Sequence, residues 1–355
     1  MPSTITTVQK LIGHTFETGW RVLSVHKSSV STTGGAYSMC FDVVKEDKVC
    51  FMKAFDFASY MLAKHPGIAN PMEKMKEMVD QYNYEHRLSD MCRTGHVTKV
   101  VFVIDSGAEY VDSVGIMVPY LIFDMADGDV HQVLDVSERL DFAWKLKSLH
   151  DVAVGLKQLH TIGISHQDVK PSNILLFDLE SRLGDLGSAL CDSLESPYGG
   201  KIFTGDHNYA PPEKDYNINI VDTTEQKYLT DCYLLGSLMT YYITGVSMNA
   251  LLYKALPVSY HPSVYNGRFV DVKDYLCNAF QQALEEIRQS IPLEDGLSDR
   301  LLAMIEYLCN PIVERRGHPK NVNNDLSLNY NLERFVTELD FLKNKAELMV
   351  YKKKG

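Results

Sequence analysis

The sequence has no C-x-x-C pair, and its seven cysteines (Cys40, Cys50, Cys92, Cys191, Cys232, Cys277 and Cys309) are widely and irregularly spaced. That spacing argues against a disulfide framework or a thiolate zinc site, and for free thiols in a reducing compartment. A basic excess is also missing: 35 Lys and Arg against 46 Asp and Glu leave a formal net charge of −11. This is the wrong sign for a chain whose main partner is nucleic acid, because phosphate backbones reward clustered cations. No uninterrupted apolar run is long enough to cross a bilayer. The best candidate, Cys232 to Val246, carries Ser, Thr and Tyr and reads as a buried helix. The first ten residues, M-P-S-T-I-T-T-V-Q-K, show no apolar core flanked by charge, hence no secretory signal. Repeats and low-complexity tracts are absent. A soluble cytoplasmic protein with neither nucleic-acid nor membrane partner is the expectation. What is present is 45% hydrophobic and 23% charged residues over 355 positions, a globular composition long enough for one large or two ordinary domains.

The chemistry concentrates between Ile164 and Gly187: I-S-H-Q-D-V-K-P-S-N-I-L-L, a connector, then L-G-D-L-G. Here Asp168, Lys170, Asn173 and Asp185 supply two carboxylates, an ammonium and an amide. Such a set suits phosphoryl transfer: one carboxylate orients an attacking hydroxyl and takes its proton, a cation steadies the migrating group, and oxygen ligands hold a metal. Ile174 to Leu176 and Ser181 to Leu183 read as two strands closed around Phe177 to Glu180. Asn173 and Asp185 then meet at the open end, where both can reach one Mg²⁺.

This segment resembles the catalytic loop and metal motif of eukaryotic-type Ser/Thr protein kinases, H-R-D-x-K-P-x-N followed by D-F-G, with Gln167 for the Arg and Leu186 for the Phe. The resemblance implies an α+β, bilobal fold. Residues 1–126 would form an N-terminal lobe with a five-stranded antiparallel sheet and a helix, and residues 127–355 a mainly helical C-terminal lobe. It implies ATP and a protein substrate as partners, Mg²⁺ (with Mn²⁺ as a substitute) as metal, Asp168 as base, Lys170 as γ-phosphate contact, and Asn173 and Asp185 as metal ligands. Lys170-Pro171 points to Ser/Thr acceptors. His166 would be a packed structural residue, and Asp231 would cap backbone N–H groups of the catalytic loop.

In the first half, Trp20 to Val25, Tyr37 to Val44, Lys48 to Ala54, Val100 to Ile104 and Gly115 to Phe123 read as the five strands. A strict G-x-G-x-x-G is absent, but Gly34 and Gly35 stand beside Ser31, Thr32 and Thr33, small enough to let backbone N–H groups approach phosphates; a hairpin loop that binds nothing is the competing reading. Lys53, on a strand in C-F-M-K-A-F, matches the nucleotide-binding lysine. Glu85, on a helix read from Met75 to Cys92, matches its carboxylate partner, with Glu73 and Glu77 as competitors. Residues 57–71 read as a long insert. Asp124, Met125 and Ala126 fall on the hinge, where backbone groups would read adenine, with Phe123 at the back of the pocket. Asp129 is placed either to meet ribose or substrate, or to begin the next helix.

In the second half, Leu140 to His160 reads as an amphipathic helix. Ser188 to Glu213 is the activation segment, with Asp206 where the family carries threonine and Glu213 expected to pair with Arg315 or Arg316. Helices follow at Phe280 to Ile291, Leu301 to Leu308 and 333–350. Gln167 is a neutral amide where the family's Arg receives a loop phosphate, so activity independent of that phosphorylation is expected. A pseudokinase, suggested by the irregular glycine loop and Asp206, and a small-molecule phosphotransferase of the aminoglycoside or choline kinase type are the alternatives. Oligomeric state, substrate and activating signal are not encoded in any pattern found.

Overall fold

Short turns and period-two apolar residues build the first part of the chain into a sheet, and capped amphipathic segments build the rest into helices. The computed structural model describes residues 7–27, 38–62, 70–136, 141–198, 201, 203–216, 223–292, 296–324 and 328–354. Two compact units result. The first holds Met1–His96, Val101–Asp127 and Leu194–Pro197; the second holds Val97–Val100, Gly128–Ser193 and Tyr198–Gly355.

In the first unit, β1 (Arg21–Val25), β2 (Ser38–Lys45) and β3 (Lys48–Phe55) precede α1 (Phe57–Leu62) and α2 (Pro71–Thr94), and β4 (Asp105–Val111) and β5 (Ile116–Asp124) follow. The strands form one antiparallel sheet in the order β1-β2-β3-β5-β4. Glu46 and Asp47, both at positive φ (48° and 65°), close β2 onto β3 in the way that matches strand twist. Phe41, Val43, Cys50, Met52, Ala54, Tyr120 and Ile122 pack on one side with Leu11 and Trp20. Phe55 and Leu121 pack with Phe57, Tyr60 and Met78 in a second cluster. Each fully buried Leu, Met or Phe contributes about 1.5–3 kcal/mol.

The strand expected at Val100 to Ile104 is instead an extended run outside the sheet, and Asp105–Val111 is the strand, paired with β5 along its whole length. Composition misled there. The Val103 N–H goes to Ser89 Oγ at 2.6 Å rather than to a ladder, while the polar D-S-G-A-E-Y-V tolerates strand pairing because β4 is an edge. Helix α2 is longer than Met75 to Cys92. Asn70 caps it by accepting from Met72 N–H (2.9 Å), with Pro71 at its first position, where no N–H is missed. Of its apolar residues, Met78 and Leu88 are buried but Val79 is exposed.

The second unit runs β6 (Gly128–Asp129), α3 (Val130–Val136), α4 (Phe142–Thr161), β7 (Ile164–Ser165), β8 (Ile174–Phe177), β9 (Glu180–Leu183) and β10 (Leu190–Cys191). It continues with α5 (Pro212–Asp215), α6 (Thr223–Thr244), α7 (Met248–Ala255), α8 (Phe269–Ser290), α9 (Leu297–Leu308), α10 (Pro319–Val322) and α11 (Glu333–Lys354). Two small sheets, β6-β8-β9 and β10-β7, stand among the helices. Helix α4 starts where Asp141 accepts from Ala143 N–H at 3.0 Å; it buries Leu146, Leu149, Ala153, Leu156 and Leu159 and leaves Phe142 half-buried. Helix α6 is buried on every side from Gln226 to Thr240, as a central core helix is. It approaches α9 so closely that a Cβ on Gly236 would lie 2.5 Å from Cys309 Sγ. No helix among the described residues is long and apolar enough to cross a membrane.

Candidate active site

The segment 164–187 of the second unit takes its shape from helices on either side of it. After α4, Gly163 (φ 77°) turns the chain into β7, which pairs with β10. The following loop cannot make ladder bonds, and Asp231 of α6 supplies acceptors instead. Its carboxylate takes the N–H groups of His166 (2.8 Å) and Gln167 (2.8 Å) and bonds His160 Nε2 (2.9 Å). Gln167 sits at φ 66°, a left-handed conformation that costs a non-glycine residue about 1 kcal/mol or more. Its side chain offsets this, donating Nε2–H to Lys227 O (2.7 Å) and to Ser165 Oγ. His166 is fully buried. Its Nδ1 accepts from Asp168 N–H (3.3 Å), so the ring proton lies on Nε2, which donates to Gly184 O (3.0 Å). With both nitrogens engaged it is a strut of the loop.

These contacts aim Asp168. Its Oδ1 accepts the N–H of Asp206 (2.9 Å), and its Oδ2 accepts from Asn173 Nδ2 (2.8 Å) and lies 3.2 Å from Lys170 Nζ. Lys170 is shared, with Asp206 Oδ2 also at 3.2 Å. Burial alone would lower the Lys170 ammonium, but the adjacent Asp168 and Asp206 carboxylates outweigh it and the net shift is upward, so this lysine stays charged. Asp206 thus bridges Asp168 and Lys170 with its backbone N–H and its carboxylate together. It also caps the turn at His207–Tyr209 by accepting from Asn208 N–H (3.0 Å). The sequence had left open what an acid would do there.

Asn173 and Asp185 lie on the two ends of the β8–β9 hairpin. The hairpin forms at Ile174–Phe177 and Glu180–Leu183, as its sequence pattern indicated, and Gly184 N–H donates to Asn173 O at 2.8 Å. Asn173 spends its amide hydrogens on the Asp168 carbonyl and carboxylate (both 2.8 Å), which turns Oδ1 the other way. Asp185 holds φ 57° and accepts from Gly187 N–H at 3.1 Å. A carboxylate and an amide oxygen on adjacent chain ends are the hard donors that Mg²⁺ takes, so the residues fit the metal.

The activation segment is pinned at both ends. A Cβ on Gly205 would lie 2.1 Å from Gln167 O, so only glycine fits where the segment crosses the catalytic loop. At the far end Glu213 pairs with Arg316, not Arg315: Nη1–Oε1 is 2.6 Å and Nη2–Oε2 is 2.8 Å, both side chains fully buried. Asn249 donates to Ala210 O (2.7 Å) and is itself held by Tyr233 OH (2.8 Å). Asp192 accepts from Lys227 Nζ (2.6 Å) and Tyr228 OH (2.5 Å). Burial would raise that carboxyl, but these two donors hold it below its usual range. His160, Asp192, Lys227 and Asn249 were not legible in the sequence, since each acts across the fold and none sits at a telling spacing. Asp129 is buried and caps α3, accepting from Gln132 N–H (2.9 Å) and Nε2–H (2.9 Å).

In the first unit, Lys53 on β3 and Glu85 on α2 form a buried ion pair, Nζ to Oε2 at 2.9 Å and to Oε1 at 3.1 Å. Of the competing acids, Glu77 instead accepts from Tyr60 OH. Asp124 ends β5 and pairs with Lys48 (2.7 Å). The backbone groups of Met125 and Ala126 take no bond among the described residues. Phe123 lies beside Phe51, ring centroids 6.1 Å apart. Gly34 and Gly35, with the rest of the loop from 28 to 37, fall outside the described residues, as do residues 63–69 of the expected insert.

Residues 68–325 match the family model described as Protein kinase domain. The chain belongs to the protein kinase domain family. The match spans most of the chain and contains Glu85 and every catalytic-loop residue above, while Lys53 precedes it. Among curated relatives, an Aurora kinase of Debaryomyces hansenii is 32% identical over 128 residues, 36% of this chain and 30% of the relative. A serine/threonine-protein kinase SBK1 of Danio rerio is 31% identical over 126 residues (33% and 30%), and mitogen-activated protein kinase 17 of Arabidopsis thaliana is 34% identical over 79 residues (22% and 16%). This kinase-domain chain therefore aligns with no more than about a third of the length of these relatives.

Proposed function

We propose that the chain is an ATP-dependent protein kinase that phosphorylates Ser and Thr hydroxyls. The observation that carries this reading is the Asp168 cluster. A carboxylate whose two oxygens are fixed by Asp206 N–H and Asn173, with the Lys170 ammonium 3.2 Å away, is built to orient a hydroxyl and take its proton while a cation steadies the migrating phosphoryl. Lys53, positioned by Glu85, holds the α and β phosphates, and the hinge backbone at Asp124, Met125 and Ala126 receives the base. Gly34 and Gly35 lie outside the described residues, and their assignment to the phosphates rests on the sequence resemblance alone. Asn173 and Asp185 would hold Mg²⁺, or Mn²⁺ in its place, which would supply neutralisation of phosphate charge. The Ser/Thr preference is supported by Lys170-Pro171 and by the Danio rerio relative, whose name is that of a serine/threonine-protein kinase. A cytoplasmic setting follows from the cysteine spacing and the need for ATP. The formal net charge of −11 disfavours nucleic acid as the main partner.

The test is transfer of label from γ-labelled ATP with Mg²⁺, with and without a generic protein substrate, beside Asp168→Ala and Lys53→Ala. Label on Ser and Thr of protein, lost in both variants, supports the reading. Label only on small hydroxylated metabolites means a small-molecule phosphotransferase, and nucleotide binding without any transfer means a pseudokinase.

A further inference from the structure

The face of the sheet that carries Lys53 also carries a hydrogen-bonded polar trio that the proposed chemistry does not use. Register places Cys40 opposite Lys53, Asp42 opposite Phe51, and Ser24 opposite Asp42. Directly opposed residues project to the same side of an antiparallel pair, and alternate residues share a face, so Ser24, Asp42, Phe51 and Lys53 lie on one surface. His26 extends it. Its N–H donates to Cys40 O (2.9 Å), its Nδ1 lies 2.6 Å from Asp42 Oδ1, and its ring meets Phe51 edge-on with centroids 5.1 Å apart. Ser24 Oγ donates to the other Asp42 oxygen at 3.0 Å. A cavity of about 540 Å³ within this unit is lined by Ser24, Val25, His26, Asp42, Val49 and Met125 among others, a volume in the range of small-molecule sites.

The chemistry of the trio narrows what it can hold. An ionised carboxylate only accepts, so the proton on Nδ1 belongs to the imidazole, and Nε2 is the ring nitrogen left to meet a ligand. No described residue donates to Nε2. Lys27 lines the same cavity as Asp42, so charges of both signs flank the ring and an uncharged hydroxyl suits Nε2. Position narrows it further. Phe51 and Lys53 are two residues apart on β3, roughly 7 Å along the strand, with Met125 towards the Phe51 end of the cavity and His26 bonded at the level of Cys40 and Lys53. A nucleotide with its phosphates on Lys53 and its base by Met125 passes its sugar beneath His26.

We infer that the Ser24–Asp42–His26 trio reads the ribose of the bound nucleotide, His26 Nε2 hydrogen-bonding a sugar hydroxyl, so that it selects ribonucleotides over deoxyribonucleotides. This rests on the ATP-binding reading above. The test measures Kd for ATP, 2′-deoxy-ATP and 3′-deoxy-ATP on the full chain and on His26→Ala and His26→Gln, by displacement of a fluorescent ATP analogue. The parent chain should bind ATP about five- to tenfold more tightly than at least one deoxy analogue, the scale of one partly exposed hydrogen bond. His26→Ala should bind ATP and that analogue equally, and His26→Gln, whose amide still offers a hydrogen bond, should recover part of the ratio. Because the readout is a ratio within each variant, partial misfolding does not imitate it. Equal affinity of the parent chain for all three nucleotides, or an unchanged ratio in His26→Ala, overturns the inference and leaves the kinase reading standing. A parent chain that binds none of the three overturns both.

Discussion

Two buried glutamates each face a cation in this molecule, and the pairs are built differently. Arg316 reaches Glu213 through two parallel bonds and spends its remaining N–H groups on the carbonyls of Asn310 (3.1 Å from Nε and from Nη2) and Leu229 (3.2 Å). Its guanidinium also lies over Tyr233, 5.1 Å from the ring centroid. Lys53 meets Glu85 with a point charge on a rotatable stem, in a setting that is not fully closed, at 8% and 6% exposure. A planar fork satisfied on every side fixes a geometry, whereas an ammonium can turn from one oxygen to another without leaving its place. The first pair holds the end of the activation segment; the second is suited to giving up part of its coordination to phosphate oxygens.

The largest effect should come from breaking the locked pair. Arg316→Met leaves Glu213 buried and uncompensated, and the second unit should lose about 3–5 kcal/mol of unfolding free energy, read by chemical denaturation. The poised pair should respond in the opposite currency: Lys53→Arg keeps the charge and should change stability by under about 1 kcal/mol. It misplaces the donor by about an ångström, however, and transfer from ATP should fall about a hundredfold. Comparable losses of stability in both variants would erase the distinction.

A third buried acid sharpens the comparison because its partners are ordinary. Burial would raise the Asp151 carboxyl, but His150, the Ser181 N–H (3.1 Å) and Lys99 (3.0 Å) bring it down to about 2 from an ordinary 3.8. A depressed folded-state value contributes stability above the unfolded value that disappears as the pH falls through the folded one. Asp151→Asn should therefore cost about 2 kcal/mol at pH 7, and the gap to the parent chain should roughly halve by pH 3. A gap constant with pH would mean that packing, not charge, holds this residue. The smallest effect concerns Gln167. Its amide is engaged by Lys227 O and Ser165, and the cation beside it, Lys227, already has Asp192. Phosphatase treatment of active protein should change turnover by less than about twofold.

Much of the second unit was legible because Asp168, Lys170, Asn173 and Asp185 are typed residues at fixed short spacing, and because β8 and β9 follow a two-residue period. Short range is what a sequence displays. The choice between Arg315 and Arg316 depended on which side chain points inward 103 positions from Glu213, and His160 meets Asp231 across 71; neither distance leaves a local trace. Val100 to Ile104 failed for a related reason, since apolar composition says a segment is covered but not whether its N–H groups go to a ladder or to Ser89. The start of α8 at Phe269 was present in the pattern, as Val272, Leu276, Ala279 and Ala283 recur at helical spacing and are buried, but the polar residues between them hid it.

Asp231 has a consequence of its own. The loop that carries Asp168 has no ladder to keep its form, and borrows much of that form from one side chain on a neighbouring helix. Loosening of the first turns of α6 by heat would release His166 and Gln167 together and let Asp168 drift, so turnover should be extinguished at a lower temperature than the one at which the helices themselves melt.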